Sequence, residues 1–430
     1  MSSAPHPSST TTPTDSPTDS LVAELTADLD QRLEAADADL VSQFPGDVAS
    51  RQPIHTVYIP ADRYADDVVA LWGQQAQAAL TEHHDLLAGL LGEDVAKEVL
   101  PLVAAKLASE PIEDLRIDFE DGFGDRGDEA EDVAVATASA ALARSQQGGT
   151  CPPFTGIRFK SFEAPTRARG IRTLTTFIGG LLHSGGSLEG FVVTFPKVTS
   201  VDQVEAMVHA CDRIEEALGL PTGSIRYEIQ VETPQSILGP DGSALVARMI
   251  HASAGRATAL HYGTYDYSAF CGIPAPYQSM EHPVADQAKL VMQAAAAGTG
   301  VRLSDGSTNI LPIGSPEEVR TGYALHLRLV RRSLERGYYQ GWDLHPAQLP
   351  SRFAATYAFY RENFAPAALR LRNYLSKAQG SVMDEPATAR TLADLVVRGL
   401  DCGALLAEEV QEATGAEAQT LIDLARPLRV

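Results

Sequence analysis

The chain has 430 residues, enough for one barrel-sized domain with additions or for two to three smaller domains. Its net charge of −22 excludes a nucleic-acid surface, which needs clustered Lys and Arg, and no apolar run reaches the roughly 18 residues needed to span a membrane. Cys151, Cys211, Cys271 and Cys402 are scattered, with no CxxC pair and no zinc spacing, so they read as reduced thiols of a cytoplasmic protein.

Residues 1–20 are rich in Ser, Thr and Pro and lack an apolar h-region. They read as a disordered tail and not as a signal peptide. An amphipathic helical pattern follows over 19–44. Short apolar runs that suit buried parallel strands then recur at 55–60, 115–119, 156–159, 190–198, 225–232, 257–262, more weakly at 300–303, and at 338–345. Helical patterns fill the gaps at 65–80, 129–145, 166–183, 201–218, 243–252, 284–297, 316–337 and 350–378. This alternation predicts the α/β class, and eight units predict a closed (β/α)8 TIM barrel over residues 21–379. Residues 83–109 form a helical insertion before the second strand. Residues 380–430 form a C-terminal helical segment that barrel closure does not need. Its apolar positions Leu392, Leu395, Val396, Leu400 and Leu405 require something to cover them.

In this fold active sites sit at the C-terminal ends of the strands. Those ends carry Asp62 and Arg63, Glu120 and Asp121, Arg158 and Lys160, Lys197, Glu232, Asp266, and His345. Glu232 and Asp266 end adjacent strands. Two such acids either hold one hard cation between them or cap the turns that follow. A guanidinium beside a cation suits a 2-oxo acid or its enolate, because the arginine holds developing negative charge. Lys197 reads as a bridge between acids, His345 as an anchor for the last loop and His261 as a core histidine.

The motifs, in order, resemble the citrate lyase β-subunit-like family of the HpcH/HpaI aldolase superfamily of phosphoenolpyruvate/pyruvate barrels. Tyr58-Ile59-Pro60-Ala61-Asp62-Arg63 is similar to its first strand and Pro-Gly-x-Arg turn. Ile117-Asp118-Phe119-Glu120-Asp121 resembles its Leu-Glu-Asp motif, Ile157-Arg158-Phe159-Lys160 its Val-Arg-Val-Asn, and Phe195-Pro196-Lys197-Val198 its Leu-Pro-Lys-Val. Val231-Glu232-Thr233-Pro234 matches its Glu-Thr-Pro, and Tyr262-Gly263-x-x-Asp266 resembles its Phe-Gly-x-x-Asp. Leu344-His345-Pro346-x-Gln348 and Met383-Asp384-Glu385-Pro386 resemble its last two motifs.

The resemblance implies a carbon–carbon lyase or aldolase that works through an enolate on a 2-oxo acid or an acyl-CoA-type substrate. Glu232 and Asp266 match the Mg2+ ligands, with Mn2+ as the other candidate ion. Glu120 and Asp121 match acids that hold metal-bound waters. Arg158 matches the substrate-binding arginine, and Gly263 lies in a substrate-binding motif. Arg63, with Arg328, Arg331 and Arg332, is the candidate to meet coenzyme A phosphates. Asp384 matches an acid/base that family members lend to a neighbouring subunit, which implies a homo-oligomer, a trimer or hexamer, completed in trans. The expected partner is a small carboxylic acid. Lys160, Tyr262, Trp342 and Asp343 depart from the family's pattern. Two other readings stay open: a non-catalytic ligand-binding or regulatory protein on the same barrel, and a coenzyme A thioester hydrolase.

Overall fold

A computed structural model describes residues 17–376 and 385–426. Eight parallel strands form one sheet in the order β7-β6-β5-β4-β3-β2-β1-β8. They are β1 (His55–Pro60), β2 (Asp114–Asp118), β3 (Phe154–Arg158), β4 (Phe191–Phe195), β5 (Arg226–Val231), β6 (Ala257–Tyr262), β7 (Arg302–Ser304) and β8 (Gly341–Asp343). The two edges meet where Ser304 bridges Gln340 in parallel. There the Asp305 and Trp342 amides donate to the Gln340 and Gly306 carbonyls at 2.8 and 3.2 Å. The sheet therefore closes into a (β/α)8 barrel.

Helices alternate with the strands. An N-terminal α1 (Pro17–Gln43) forms a compact unit separate from residues 46–428. It begins at Pro17, so the last residues of the expected tail are helical. The others are α2 (Val68–Glu82), α3 (His84–Leu91), α4 (Glu93–Ser109), α5 (Asp128–Gln147), α6 (Arg167–His183), α7 (Val201–Leu218), α8 (Pro234–Ile237), α9 (Leu245–Ala252), α10 (Thr264–Phe270), α11 (Pro283–Ala296), α12 (Pro316–Glu335), α13 (Leu349–Leu375), α14 (Pro386–Cys402), α15 (Ala407–Thr414) and α16 (Ala418–Ala425). The expected insertion is the pair α3 and α4, and α4 packs on α13. None of the described helices is long and apolar enough to cross a membrane.

Strand alternation splits the barrel into two chemistries. On β2, Leu115 and Ile117 are fully buried in the apolar core that the outer helices cover. The alternate residues Asp114, Arg116 and Asp118 are also buried, but they are charged. Arg116 pairs with Asp114 on its own strand and with Glu228 on β5 at 2.7 Å, and it donates to Thr194 on β4 at 3.2 Å. These contacts cross the barrel, so its interior is a closed ion network that ties β2, β4 and β5 together. Such a network holds only because each charge is paired. Gly156 on β3 is required by packing, since a Cβ there would run into the Val192 carbonyl of β4.

The C-terminal segment is covered within its own chain. Val396, Val397, Leu405, Val410 and Leu421 form a second apolar cluster with Ala367 and Leu371 of α13. The C-terminal half of α13 thus contributes to this smaller core. The sequence pattern required a cover for the stripe, and the family resemblance suggested a neighbouring subunit. Here α13 supplies it.

Candidate active site

The C-terminal rim is built from the ends of β2 to β6. At the end of β2 the Asp118 carboxylate accepts the backbone amides of Glu120 (3.0 Å) and Gly122 (2.8 Å). This folds the following turn back over the strand and presents Glu120 and Asp121. Gly122 has to be glycine, since a Cβ there would strike Asp118. Lys160, after β3, pins the same turn by donating to the Phe119 carbonyl at 3.0 Å, the Gly124 carbonyl at 3.3 Å and Glu131 at 2.7 Å. Lys160 thus holds the turn that carries the acids.

Arg158 ends β3 directly opposite Asp118 in the β2–β3 register. Its Nε and one terminal nitrogen donate to the two Asp118 oxygens at 2.7 and 2.6 Å. The other terminal nitrogen lies 3.4 Å from Glu120, and the guanidinium sits over the Tyr58 ring at 4.7 Å. Most of its fork is therefore held inside the protein, and one edge faces the acids of the rim. The carboxylate that takes the bidentate pairing is Asp118. Asp118 is not among the strand-end residues legible in the sequence, where Glu120 and Asp121 stand at the end of the second strand. The signal was present, since Asp114, Arg116 and Asp118 follow the inward period of two.

Lys197, just after β4, has φ +51°, one of two non-glycine residues with positive φ among those described. Its amide donates to Glu232 at 2.7 Å. Its ammonium contacts Glu120, reaches Asp121 at 3.1 Å and Asp266 at 3.3 Å. Burial works against that ammonium, but Glu232, Glu120 and Asp121 outweigh it and hold the lysine pKa above its ordinary value.

Glu232 follows β5 and is 1 % exposed. Gln230 donates to it at 2.6 Å, and Thr233 bonds the Val198 carbonyl at 2.6 Å, which clamps the β5 end to the β4 end. Burial lifts the Glu232 carboxyl well above the usual range. Lys197 opposes the rise, and Glu120 and Asp266 add to it. Gly263, after β6, packs on this residue, since a Cβ there would lie 2.5 Å from the Glu232 Cβ. Asp266 stands in the first turn of α10 and is partly exposed.

The structure thus brings Glu120, Asp121, Arg158, Glu232, Gly263 and Asp266 to one rim. It leaves Arg63 exposed in the turn Ala61–Arg63 after β1. Arg328, Arg331 and Arg332 lie on α12 in ion pairs with Glu281, with Glu335 and Glu362, and with Asp286, so they are not a free phosphate cradle. His345 caps the turn after β8 by accepting the Ala347 amide at 3.1 Å. His261 is fully buried inside the barrel beside Glu228. Asp384 lies outside the described residues.

Glu120, Asp121, Glu232 and Asp266 stand around Lys197 and offer an all-oxygen donor set, the chemistry that suits Mg2+ or Mn2+. Among the described residues no three His, Cys, Asp or Glu side chains already form a metal-holding group. Lys197 Nζ stands between Glu120, Asp121 and Asp266. The donor types fit the ion.

Comparison with known proteins places the whole barrel in one family. The chain belongs to the family described as Domain of unknown function (DUF6986). Its model matches residues 33–428. No curated protein matches the chain. Solved structures similar to it include Haloferax volcanii malate synthase in a magnesium/glyoxylate complex, at 14% identity over 87% of this chain and 97% of that one, TM-score 0.47. They also include the citrate lyase beta subunit from M. tuberculosis complexed with oxaloacetate and magnesium, at 18% identity over 72% of this chain and 98% of that one, TM-score 0.39. The barrel assignment itself stands on the strand order and its closure.

Proposed function

We propose that this chain is a Mg2+-dependent carbon–carbon lyase or aldolase that acts on a 2-oxo acid or an acyl-CoA-type substrate through an enolate. One observation carries the reading. Glu232 and Asp266, from neighbouring β/α units, meet Glu120, Asp121 and a locked Arg158 at a single rim. The order of the motifs along the chain supports it independently.

Glu232 and Asp266 are the residues that would hold the cation, with Glu120 and Asp121 accepting from its waters. When bound, the ion polarises the substrate carbonyl and offsets enolate charge. Arg158 is held rigid by Asp118, so its remaining N–H edge is preorganised to donate to a substrate carboxylate or enolate oxygen. In the cleavage direction a base takes the proton of the substrate hydroxyl. The carbon–carbon bond then breaks, its electron pair becomes the enolate, and a proton returns to that carbon. Asp384 is the candidate for moving these protons.

The test is a turnover screen of the purified protein with Mg2+ against free 2-oxo acids and their acyl-CoA condensation products. Mg2+-dependent turnover is expected. It should be lost in Glu232→Ala and Asp266→Ala, with folding checked by circular dichroism, because both residues stand on the rim. Turnover that persists in chelator, or in either variant, would remove the metal from the reaction.

A further inference from the structure

We propose that Lys197 is a built-in counter-ion whose ammonium occupies the place a divalent cation takes, so that metal and Nζ exclude one another at the rim. This deepens the function proposed above and rests on its placing of the cation at Glu232 and Asp266.

Three observations lead there. The first is convergence. Nζ touches Glu120, lies 3.1 Å from Asp121 and 3.3 Å from Asp266, and the amide of the same residue donates to Glu232 at 2.7 Å. One residue therefore contacts all four carboxylates, which come from three separate β/α units. The second is charge. Arg158, the other cation touching this group among the described residues, is largely engaged by Asp118. Without Lys197, four acids crowded at a partly buried rim would repel one another with little to offset it. The third is backbone shape. Lys197 sits at φ +51°, a conformation that glycine adopts freely and a Cβ disfavours. The conformation turns the amide to Glu232 while the ammonium reaches the other acids.

The consequence is competition. A dication among these oxygens and an ammonium about 3 Å from them cannot share the space without strong repulsion. The flexible lysine stem lets Nζ swing out as the ion enters. Lys197 thus keeps the acids assembled before metal arrives, and it weakens metal binding by the free energy of its own displacement.

The experiment compares wild type with Lys197→Met, which keeps the stem and removes the charge. Mg2+ alone is titrated calorimetrically into chelator-stripped protein. The variant should bind Mg2+ about tenfold more tightly, equal to about 1.4 kcal/mol. Its metal-free melting temperature should fall below that of wild type, and Mg2+ should raise it by more. Acetylation of wild-type Lys197, read by mass spectrometry, should be slow in chelator and fast at saturating Mg2+. Equal or weaker Mg2+ binding by a folded variant overturns the proposal while leaving the metal assignment standing. So does Lys197 acetylation that saturating Mg2+ leaves unchanged, and this second readout decides if the variant does not fold. If neither protein binds Mg2+, both readings fall. Binding in the variant alone supports the exclusion in its extreme form.

Discussion

Asp118 is the residue on which the arginine side of the rim depends. It pairs bidentately with Arg158 and also shapes the turn that presents Glu120 and Asp121. Asp118→Ala leaves a buried guanidinium with the 3.4 Å contact to Glu120 and its stacking on the Tyr58 ring. Removing one partner of a buried pair costs about 3–5 kcal/mol, and the residual contact places this case near about 3 kcal/mol. Urea unfolding checks it, and the same substitution made in Arg158→Met should cost much less, because the stranded charge is gone. A loss below about 1 kcal/mol in the single variant would mean that the pair is solvated and weak. The comparison also separates what sequence can and cannot tell at this scale. Arg158, Glu232 and Asp266 are legible because the fold sends strand ends to one rim. Which acid Arg158 takes is not legible, because that depends on register. Asp118 stands opposite Arg158 in the β2–β3 ladder, and a two-residue slip would have put Glu120 there.

Between elements, close approach does the positioning. The β5 and β6 ends are close enough that Gly263 leaves no room for a methyl, with 2.5 Å to the Glu232 Cβ and 3.0 Å to its Oε2. Gly263→Ala should therefore push Glu232 away from Lys197 and Asp266. Overpacking of this kind costs about 1–3 kcal/mol, and Mg2+ affinity measured by calorimetry should fall with it. Unchanged affinity would show that the rim tolerates the shift or that Glu232 is not a ligand. Sequence marked β1 and β6 clearly, because each is six residues long and mostly apolar. It marked β7 weakly and β8 at more than its length. Those strands are three residues each, with Arg302 and Ser304 in one and Gly341 and Asp343 in the other. Such short polar segments hold as strands through the closure bonds around Gln340 and Gly306, which only the finished barrel creates.

For the whole molecule, the direction of α13 bears on where Asp384 can act. The helix starts just after β8, and by Phe353 it already packs 5.4 Å from the ring of His55, the first residue of β1. Its first turn therefore lies beside the N-terminal end of β1. The rest of this 27-residue helix carries it about 30 Å further, at 1.5 Å per residue. α14 returns alongside, since Tyr357 donates to the Cys402 carbonyl at 2.8 Å and Arg398 donates to Gln52, before β1, at 2.8 Å. α14 therefore brings its C-terminal end, not its N-terminal end at Glu385, to Tyr357 and to Gln52 before β1. Asp384 lies outside the described residues, and we propose that its acid/base role is played in the site of a second copy of the chain. Asp384→Ala and Arg158→Ala should each be inactive, and mixing them under conditions of subunit exchange should restore turnover. The restored sites combine the intact barrel of the first variant with the intact C-terminal segment of the second. Mass spectrometry would verify that hybrids form, and verified hybrids without activity would remove Asp384 from the chemistry. The proton would then have to be moved by a group other than Asp384 and the two proposed cation ligands.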